Sequence, residues 1–552
     1  MSREESKKRN GRSELLMPAG SLEKLKTAIL YGADAVYMGT PDMSLRTQSA
    51  FTLEEVLEGI AYAHERGKKV YLTLNLFSHN KDIEKLPIFI DTIRQLKPDG
   101  LIIADPGVFQ FVKQHAPELE LHISTQANVC SWLSVQFWEA QGASLVVMAR
   151  EVTFDEMVEI REKCPNIKLE SFIHGSMCMT YSGRCLLSNY LTERGANQGN
   201  CAHSCRWHYK IHVQLKDGTR KELEITDDNR EMFDFLMEED IRPGELMTLE
   251  EDERGSYILN AKDLCLMPRL DEYLELGIDS LKVEGRNKGS YYAGVIARAY
   301  RMAIDDWYAD PENWNYEDYM AEILTVPNRG LSLAFHDGRL THHAHNFEDT
   351  HTLSEYEFAG MVTAVNEDSV DVLVKNRIQA GEVLEFVCPG YRDIIRLRLY
   401  EFISAKNGAI KESVHPGQNF EFRIPFTAFD LEDERSLRDR IPEMTLVRKE
   451  KILNQQEWDR LRLDKAARDI ETGNGNERIY LKMRDNLALS TAQVPQTKKV
   501  PRTGTEGCCG KGCNGCLIFA HDPLFAKARQ DLSQKKMGEK LDSSYRIQPT
   551  PA

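Results

Sequence analysis

Short apolar runs alternate with amphipathic segments of helical period over the first 180 residues. Such runs, bounded by turn residues, predict buried strands, and apolar positions three and four residues apart predict helices that cover a sheet. Ser21 is the predicted N-cap of the first helix. The predicted strands are Glu14–Gly20 with its turn, Asp34–Gly39, Lys69–Leu76, Gly100–Asp105, Leu121–Gln126, Leu145–Ala149, Lys168–Ile173 and, after a long insertion, Asp279–Glu284; predicted helices include Leu53–Arg66, Phe154–Lys163 and Tyr291–Ile304.

Eight β/α units with nearly continuous apolar strands favour an α/β fold, a closed (β/α)8 TIM-like barrel. The alternative is an open doubly wound sheet, which usually has fewer strands and often a glycine-rich phosphate loop after the first. The turn here, Pro18-Ala19-Gly20, is not such a loop. We therefore assign residues 14–330 to the barrel, with a cysteine-bearing loop at 170–210 and an insertion at 211–260.

The pattern changes between residues 350 and 450, where strand-like runs are separated by Asn, Asp, Gly and Pro turns. This spacing predicts a smaller C-terminal antiparallel β-barrel. Residues 452–505 are polar and predict a helix followed by a loose linker, and residues 506–530 form a cysteine-rich tail. The predicted strands are Phe358–Val365, Ser369–Val374, Glu382–Val387, Ile394–Phe402 and Phe420–Ile424.

Length and charge narrow the class of protein. A chain of 552 residues is expected to form two or three domains, and 41% hydrophobic with 28% charged residues is ordinary for a globular protein. The N-terminus is polar and no run of about 18 apolar residues follows, so we expect a cytoplasmic protein without a membrane segment. A net charge of −16 argues against broad, non-specific nucleic-acid binding but leaves room for a local basic surface.

Four cysteines follow the seventh predicted strand: Cys178, Cys185, Cys201 and Cys205, spaced C-x6-C-x15-C-x3-C. In a reducing cytoplasm such a cluster indicates metal or redox chemistry more often than disulfides. Four thiolates suit a [4Fe–4S] cluster or zinc, but zinc sites usually contain two closely spaced pairs, and this block contains one. The spacing therefore favours iron–sulfur at the C-terminal face of the barrel, with zinc or ordinary buried thiols as alternatives.

A second cluster lies in the tail, at Cys508, Cys509, Cys513 and Cys516. The last three spell C-x3-C-x2-C, the spacing of radical S-adenosylmethionine enzymes, but only 36 residues follow and cannot build a barrel. The tail is thus a candidate for a small second metal site, zinc or a second cluster. The isolated cysteines are expected to be buried thiols, with Cys265 also considered as a substitute ligand.

The chain resembles the U32 family, whose members were historically labelled peptidases. The resemblance is carried by ELLMPAGSLEKLKTAILYGADAVYMG, by ESFIHGSMCMTYSGRCLLSNYL, and by NAKDLCLMPRL followed by GIDSLKVEGR. Within the family it looks most like the subgroup that forms 5-hydroxyuridine at the tRNA wobble position, on NQGNCAHSCRWHY, RPGELMTLEEDERGSYILNAKDL and KVEGRNKGSYYAGVIARAYRMAIDD. It spans about residues 14–450 and leaves out the tail.

What the resemblance implies is hydroxylation of the wobble uridine (U34) of tRNA, with prephenate rather than molecular oxygen as the hydroxyl source. It also implies a [4Fe–4S] cluster on Cys178, Cys185, Cys201 and Cys205, matched position by position. tRNA and prephenate are then the expected partners, with an iron–sulfur or redox protein as a further candidate. Relatives in the superfamily hydroxylate ribosomal RNA or quinone precursors, which are alternative substrates.

Residues at the predicted strand ends are candidates for the pocket, because barrels aim these side chains at it. Lys282 and Arg286 suit a dicarboxylate such as prephenate, since a guanidinium binds a carboxylate with two hydrogen bonds. Asn75 is a further candidate for substrate binding. The alternative for Lys282 is an ion pair with Glu284 that closes the barrel.

Three residues are candidates for catalysis: His174, Gln126 and Glu284. His174 lies one turn before Cys178 and suits acid–base chemistry, or it hydrogen-bonds a loop carbonyl. Gln126 and its neighbour Asn128 could read a base edge, or cap the fifth strand.

Cations and aromatic residues surround the cysteine loop, and Arg184, Arg206 and Trp207 are the candidates for RNA binding. Such a mixture suits phosphate contact and base stacking, although a solvated loop is the alternative.

Two other functions stay open. A U32 peptidase, or collagenase-like protease, would need a Cys/His pair, and His174, His203 and His208 lie near the cysteines. The chain contains no serine-protease elbow and no HExxH zinc motif. A non-catalytic, metal-stabilised RNA-binding protein is the second alternative.

Overall fold

A computed structural model describes most of the chain outside the cysteine-bearing loop and the tail. The described residues are 11–39, 51–75, 78–177, 260–338, 352–417, 420–429, 434–476 and 478–483, with shorter pieces at 204, 209–214, 220–221, 234–239, 246–248, 344–346 and 486. The chain divides into two compact units, one of residues 1–205 with 259–488 and one of residues 206–258 with 489–552.

Strands and helices alternate along the first half of the chain. The strands are β1 (Glu14–Pro18), β2 (Ala35–Gly39), β3 (Lys69–Leu74), β4 (Gly100–Ile103), β5 (Glu120–Ile123), β6 (Leu145–Val147), β7 (Lys168–Ser176), β8 (Tyr209–Gln214), β9 (Arg220–Lys221), β10 (Asp234–Glu239), β11 (Leu246–Thr248), β12 (Asn260–Ala261), β13 (Asp263–Cys265), β14 (Ser280–Val283), β15 (Leu331–Ser332) and β16 (His345–Asn346). The helices are α1 (Leu22–Leu30), α2 (Leu53–His64), α3 (Asn80–Ile83), α4 (Leu86–Leu96), α5 (Pro106–His115), α6 (Trp132–Ala140), α7 (Phe154–Lys163), α8 (Leu270–Glu275), α9 (Ser290–Ala309) and α10 (Glu317–Leu324).

Strands β1 to β7 and β14 form a closed parallel barrel. Consecutive strands pair in chain order from β1 to β7, and β14 closes the barrel by pairing in parallel with both β1 and β7. The predicted (β/α)8 barrel is therefore confirmed, and the open sheet is excluded. Helix starts follow the expected chemistry, since the Ser21 hydroxyl accepts from the backbone N–H of Lys24 at the start of α1.

The barrel separates an outer core from an inner one. Outward-facing strand residues pack with the helices in one large cluster, which includes Leu15, Val36 and Val283. A separate inner cluster contains Leu16, Ala35, Tyr37, Tyr71 and Ile102. Alternate positions along β1 to β4 supply the two cores, as the two-residue period of a strand requires.

Strand β7 runs three residues beyond its predicted end at Ile173. Its extension pairs antiparallel with β13, which in turn pairs with β15, so these residues continue the sheet past the barrel. A sequence pattern does not reveal such added partners. The extension ends at Ser176, and Met177 is buried, so Cys178 follows directly from the C-terminal end of β7.

The second domain is an antiparallel half-barrel, which confirms the predicted β-domain. Its strands are β17 (Tyr356–Val365), β18 (Ser369–Val374), β19 (Ile378–Gln379), β20 (Val383–Val387), β21 (Ile395–Arg398), β22 (Phe402–Ser404), β23 (Ile410–Lys411), β24 (Ser413–Val414), β25 (Glu421–Pro425) and β26 (Leu446–Glu450), with helices α11 (Glu434–Arg440) and α12 (Gln455–Glu471). The main sheet has the order β21-β20-β26-β17-β18-β25-β22-β23, around a core of its own.

One predicted strand, Ile394–Phe402, is wrong as a single element. It forms two strands, and β21 pairs with β20 while β22 pairs with β25 on the other side of the sheet. Tyr400 lies between β21 and β22, in the segment that crosses from one side of the sheet to the other, and it is 69% exposed.

Barrel and half-barrel share a buried polar contact. The Tyr31 hydroxyl donates to the Val387 carbonyl at 2.6 Å and accepts from the Leu446 N–H at 2.8 Å. Arg448 of β26 adds ion pairs to Glu322 of α10 at 3.1 Å and to Glu385 of β20 at 2.8 Å. The half-barrel is thus fixed to the barrel through specific side chains.

The second unit contributes a small antiparallel sheet of order β11-β10-β8-β9. Within the portion of the chain that the structure describes, no helix is long and apolar enough to cross a membrane.

Candidate functional site

Side chains of β7 and β14 form an unusual ionic group in the barrel lumen. Lys282 Nζ lies 2.6 Å from Glu170 Oε1, with the two side chains 6% and 0% exposed. Ser280 also donates to Glu170, at 2.9 Å. The Lys282 ammonium lies 4.4 Å from the centre of the Tyr37 ring, which belongs to the inner cluster. An ion pair therefore occupies the lumen, where such barrels usually hold branched apolar side chains.

A second ion pair joins Glu284 to Arg150, and the sequence analysis did not single out Arg150. Arg150 Nη2 lies 2.8 Å from Glu284 Oε2, and its guanidinium lies 3.8 Å from the centre of the Phe172 ring. The proposed pairing of Lys282 with Glu284 is thus replaced by two separate pairs. Arg150 follows β6, so the strand-end rule that nominated the other candidates applies equally to it.

Arg286, which follows β14, is a third cation beside Arg150 and Lys282. Its Nη1 donates to the Thr73 hydroxyl at 3.3 Å, and its guanidinium lies 5.5 Å from the centre of the Tyr37 ring. We call Arg150, Lys282 and Arg286 the cationic arc. These cations lie next to aromatic rings and carboxylates, and their positive charge suits an anionic ligand.

Uncharged side chains follow β3 and β5. Asn75 Nδ2 donates to the Ser124 hydroxyl at 3.4 Å, which links the ends of these two strands. Gln126 lies in a 3-10 turn, Thr125–Ala127, which Asn128 ends. We call Asn75, Ser124, Gln126 and Asn128 the neutral arc.

His174 lies apart from both arcs. The β7–β14 ladder pairs Phe172 with Lys282 but His174 with Val283, so a bulge inserts one residue and reverses the face that follows. His174 therefore shares the outer side with Val283, and its ring centre lies 5.9 Å from that of Tyr292 and 5.7 Å from that of Tyr300. Burial, with a smaller effect of Lys288, lowers the pKa of His174 to about 3, so the imidazole is neutral. Its catalytic role stays a prediction.

Cys265 is a buried thiol. Its Sγ lies 3.8 Å from the Tyr300 hydroxyl, and burial raises the thiol pKa to about 11. Its burial agrees with the interpretation as a buried thiol, and a role as substitute ligand stays a prediction. Asp105, another strand-end residue, accepts from the N–H groups of Gly107 and Val108 and caps α5.

Several predicted site residues lie outside the described residues: Cys178, Cys185, Cys201, Cys205, Arg184, Arg206, Trp207, Cys508, Cys509, Cys513 and Cys516. Among the residues with a described position, no group of three or more His, Cys, Asp or Glu side chains could hold a metal ion. The donor chemistry of the first four cysteines fits an iron–sulfur cluster, because four thiolates are its usual ligands. β7 ends at Ser176, two residues before Cys178 in the sequence.

Comparison with known proteins covers both domains. The model of peptidase family U32 matches residues 20–346, and that of the peptidase family U32 C-terminal domain matches residues 354–434. The chain is 37% identical over 433 residues to tRNA hydroxylation protein P of Escherichia coli K12, covering 75% of this chain and 93% of that protein. It is 36% identical over 416 residues to tRNA hydroxylation protein P1 of Bacillus subtilis 168, covering 74% and 92%.

A more distant relative extends the range of RNA targets. The 23S rRNA 5-hydroxycytidine C2501 synthase of Escherichia coli K12 is 31% identical over 294 residues, which is 53% of this chain and 39% of that protein. Since the first family model spans more than half of the chain and full-length relatives align across both domains, the chain belongs to peptidase family U32.

Proposed function

We propose that this chain is an RNA-modifying hydroxylase that acts on tRNA. One observation carries the proposal: the chain aligns with 93% of a tRNA hydroxylation protein at 37% identity, through barrel and half-barrel alike. A relative named for hydroxylation of cytidine in ribosomal RNA supports the same reaction class. A cytoplasmic location is part of this proposal, because tRNA is the expected substrate.

The finer proposal is 5-hydroxylation of the wobble uridine with prephenate as the hydroxyl source. Replacing C5–H by C5–OH inserts one oxygen atom and removes two electrons from the base. Prephenate supplies that oxygen from its ring hydroxyl. The product left from prephenate has one oxygen atom less and takes up the two electrons. The balance then needs no molecular oxygen.

The cationic arc supports a dicarboxylate co-substrate. Arg150, Lys282 and Arg286 bring three positive charges to the barrel interior and its mouth, beside the carboxylates of Glu170 and Glu284. The planar fork of a guanidinium matches a carboxylate, so the two arginines suit a dicarboxylate. The aromatic faces of Tyr37 and Phe172 offer apolar contact to a six-membered ring.

The thiolates of Cys178, Cys185, Cys201 and Cys205 would hold a [4Fe–4S] cluster, which supplies one-electron chemistry. Peptidase chemistry receives no support from the buried thiols. Burial raises the pKa of Cys265 to about 11 and that of Cys388 to about 12, so both are protonated and poor nucleophiles at neutral pH.

Mass analysis of tRNA nucleosides tests the reaction. A strain that lacks this gene should lose 5-hydroxyuridine and its derivatives, and the wild-type gene should restore them. Purified enzyme, supplied anaerobically with prephenate labelled by heavy oxygen in its ring hydroxyl, should place the label in the base. Unchanged nucleosides in the deletion strain would contradict the tRNA assignment, and unlabelled product would contradict the oxygen source alone.

Iron and acid-labile sulfide analysis tests the cluster separately. The anaerobic protein should be brown and contain both elements, and Cys178→Ala should lose them. Cys265→Ala is the matched control, because its thiol packs against Tyr300 and should not affect iron content. Colourless protein with stoichiometric zinc would contradict the iron–sulfur proposal.

A further inference from the structure

Asn128 has a left-handed backbone at the C-terminal end of the barrel. It ends the turn after β5 with φ of 52° and ψ of 51°. Glycine adopts this conformation freely, whereas every other residue meets some steric resistance, asparagine less than most. Glycine would therefore adopt this backbone conformation with less strain than asparagine.

The two polar atoms of the Asn128 side chain are buried and unpaired. In the described part of the chain neither Nδ2 nor Oδ1 has a hydrogen-bond partner, and each exposes less than 1 Å² to solvent. Buried amides are nearly always paired, because an unpaired one lowers the stability of the fold. Glycine at this position would remove both the unpaired amide and the backbone strain. Stability therefore does not explain the side chain, and a ligand that pairs with it would.

The residues that follow neighbouring strands indicate which ligand. Asn75, Ser124 and Gln126, which follow β3 and β5, are uncharged donors and acceptors. Of the three cations, Arg150 follows β6, Lys282 lies within β14 and Arg286 follows β14. The cations suit the anionic co-substrate. An amide presents a donor and an acceptor side by side, which matches the N3–H and O4 pair of uracil.

We propose that the Asn128 amide reads the N3–C4 edge of the target pyrimidine and is a specificity-determining contact. This inference rests on the proposed function. Because C5 adjoins C4 in the ring, holding that edge fixes the direction of C5 as well. The mouth of the barrel is then divided, with the base on the neutral arc and the dicarboxylate on the cationic arc.

Asn128→Gly tests the inference, because the two roles predict opposite changes in melting temperature. If Asn128 supports the fold, the substitution lowers the melting temperature, whereas a residue that serves only recognition can be replaced without that loss. We expect its melting temperature to equal or exceed that of wild type, since strain and an unpaired amide are removed. Hydroxylation at subsaturating tRNA should fall roughly 10- to 100-fold, the size of a lost two-bond base contact, with an unchanged KM for prephenate. Lys97→Gly is the control, because Lys97 is exposed and has the same backbone, with φ of 54°. It should keep the wild-type rate.

Asn128→Asp gives a second measurement. It keeps the size of the side chain but replaces the donor by a negative oxygen that would face O4, so the rate on tRNA should fall at least as far. A lower melting temperature of Asn128→Gly, or a wild-type rate in either variant, overturns the inference. If the wild-type holoenzyme forms no 5-hydroxyuridine, the proposed function is overturned and this inference with it. If the wild type is active and a variant is equally active, only this inference is overturned.

Discussion

Lys282 and Glu170 form an ion pair inside the barrel, with 2.6 Å between Nζ and Oε1 and almost no exposure of either side chain. Removing one partner of such a pair leaves an uncompensated buried charge. We expect Glu170→Ala to lower the free energy of unfolding by about 3–5 kcal/mol, measured by urea denaturation.

The exposed pair Lys163–Glu159, at 2.5 Å with 42% and 51% exposure, supplies the matched control. Glu159→Ala should change the free energy of unfolding by at most about 0.5 kcal/mol, because water screens that pair. The double variant Glu170→Leu with Lys282→Met should recover much of the loss, since it buries no charge. Equal, small losses in Glu170→Ala and Glu159→Ala would contradict this account of the lumen.

The sequence identifies which residues reach the barrel mouth better than it identifies their partners. Alternation along β14 places Lys282 and Glu284 on the inner side, as predicted. Their partners, Glu170 and Arg150, come from residues 112 and 134 positions away and depend on how the barrel closes. A local pattern contains no information on such distances, so the alternative that pairs Lys282 with its near neighbour Glu284 is wrong.

His174 shows a second limit. Simple alternation from Phe172 would place it inward, but the bulge in β7 turns it outward. The next residue, Gly175, has a φ of +117°, and an added Cβ would lie 2.3 Å from the Glu284 carbonyl oxygen. A glycine in a strand is the one local signal of such an irregularity.

Tyr31 should contribute to the attachment of the half-barrel. Its buried hydroxyl bonds both the Val387 carbonyl and the Leu446 N–H, so Tyr31→Phe leaves two buried backbone groups unpaired. We expect a loss of about 1–3 kcal/mol in the free energy of unfolding. Tyr400→Phe is the control, because Tyr400 is 69% exposed, and its effect should stay within about 0.5 kcal/mol. No difference between the two variants would mean that the contact does not stabilise the interface.

Arg150 should affect the co-substrate more than the RNA. In Arg150→Lys the positive charge stays but the planar fork is lost, so the KM for prephenate should rise roughly tenfold, about the contribution of one charged hydrogen bond. The KM for tRNA should change little. Arg94→Lys, at an exposed pair with Glu118, is the control and should leave both constants unchanged. A rise in the KM for tRNA alone would contradict the assignment of Arg150 to the anion.

Glu471 should make the attachment of α12 depend on pH. Its Oε2 accepts from the Leu333 N–H at 3.1 Å, and burial raises the carboxyl pKa to about 7 despite the opposing effect of Lys262. A carboxyl whose pKa is higher in the folded state favours the fold while protonated. Its stabilising contribution is therefore complete below about pH 4.5, the ordinary value, and is lost as the pH rises to about 7.

Glu471→Gln keeps an oxygen for the Leu333 N–H but cannot ionise. We expect its free energy of unfolding to exceed that of wild type by roughly 3 kcal/mol at pH 7.5, and the difference to vanish near pH 4.5. Urea denaturation at several pH values measures the difference. Glu450→Gln, at an exposed site at the end of β26, should show no such trend. A wild-type stability that rises over this interval relative to Glu471→Gln would show that the carboxylate, and not the acid, is the form that holds α12 in place.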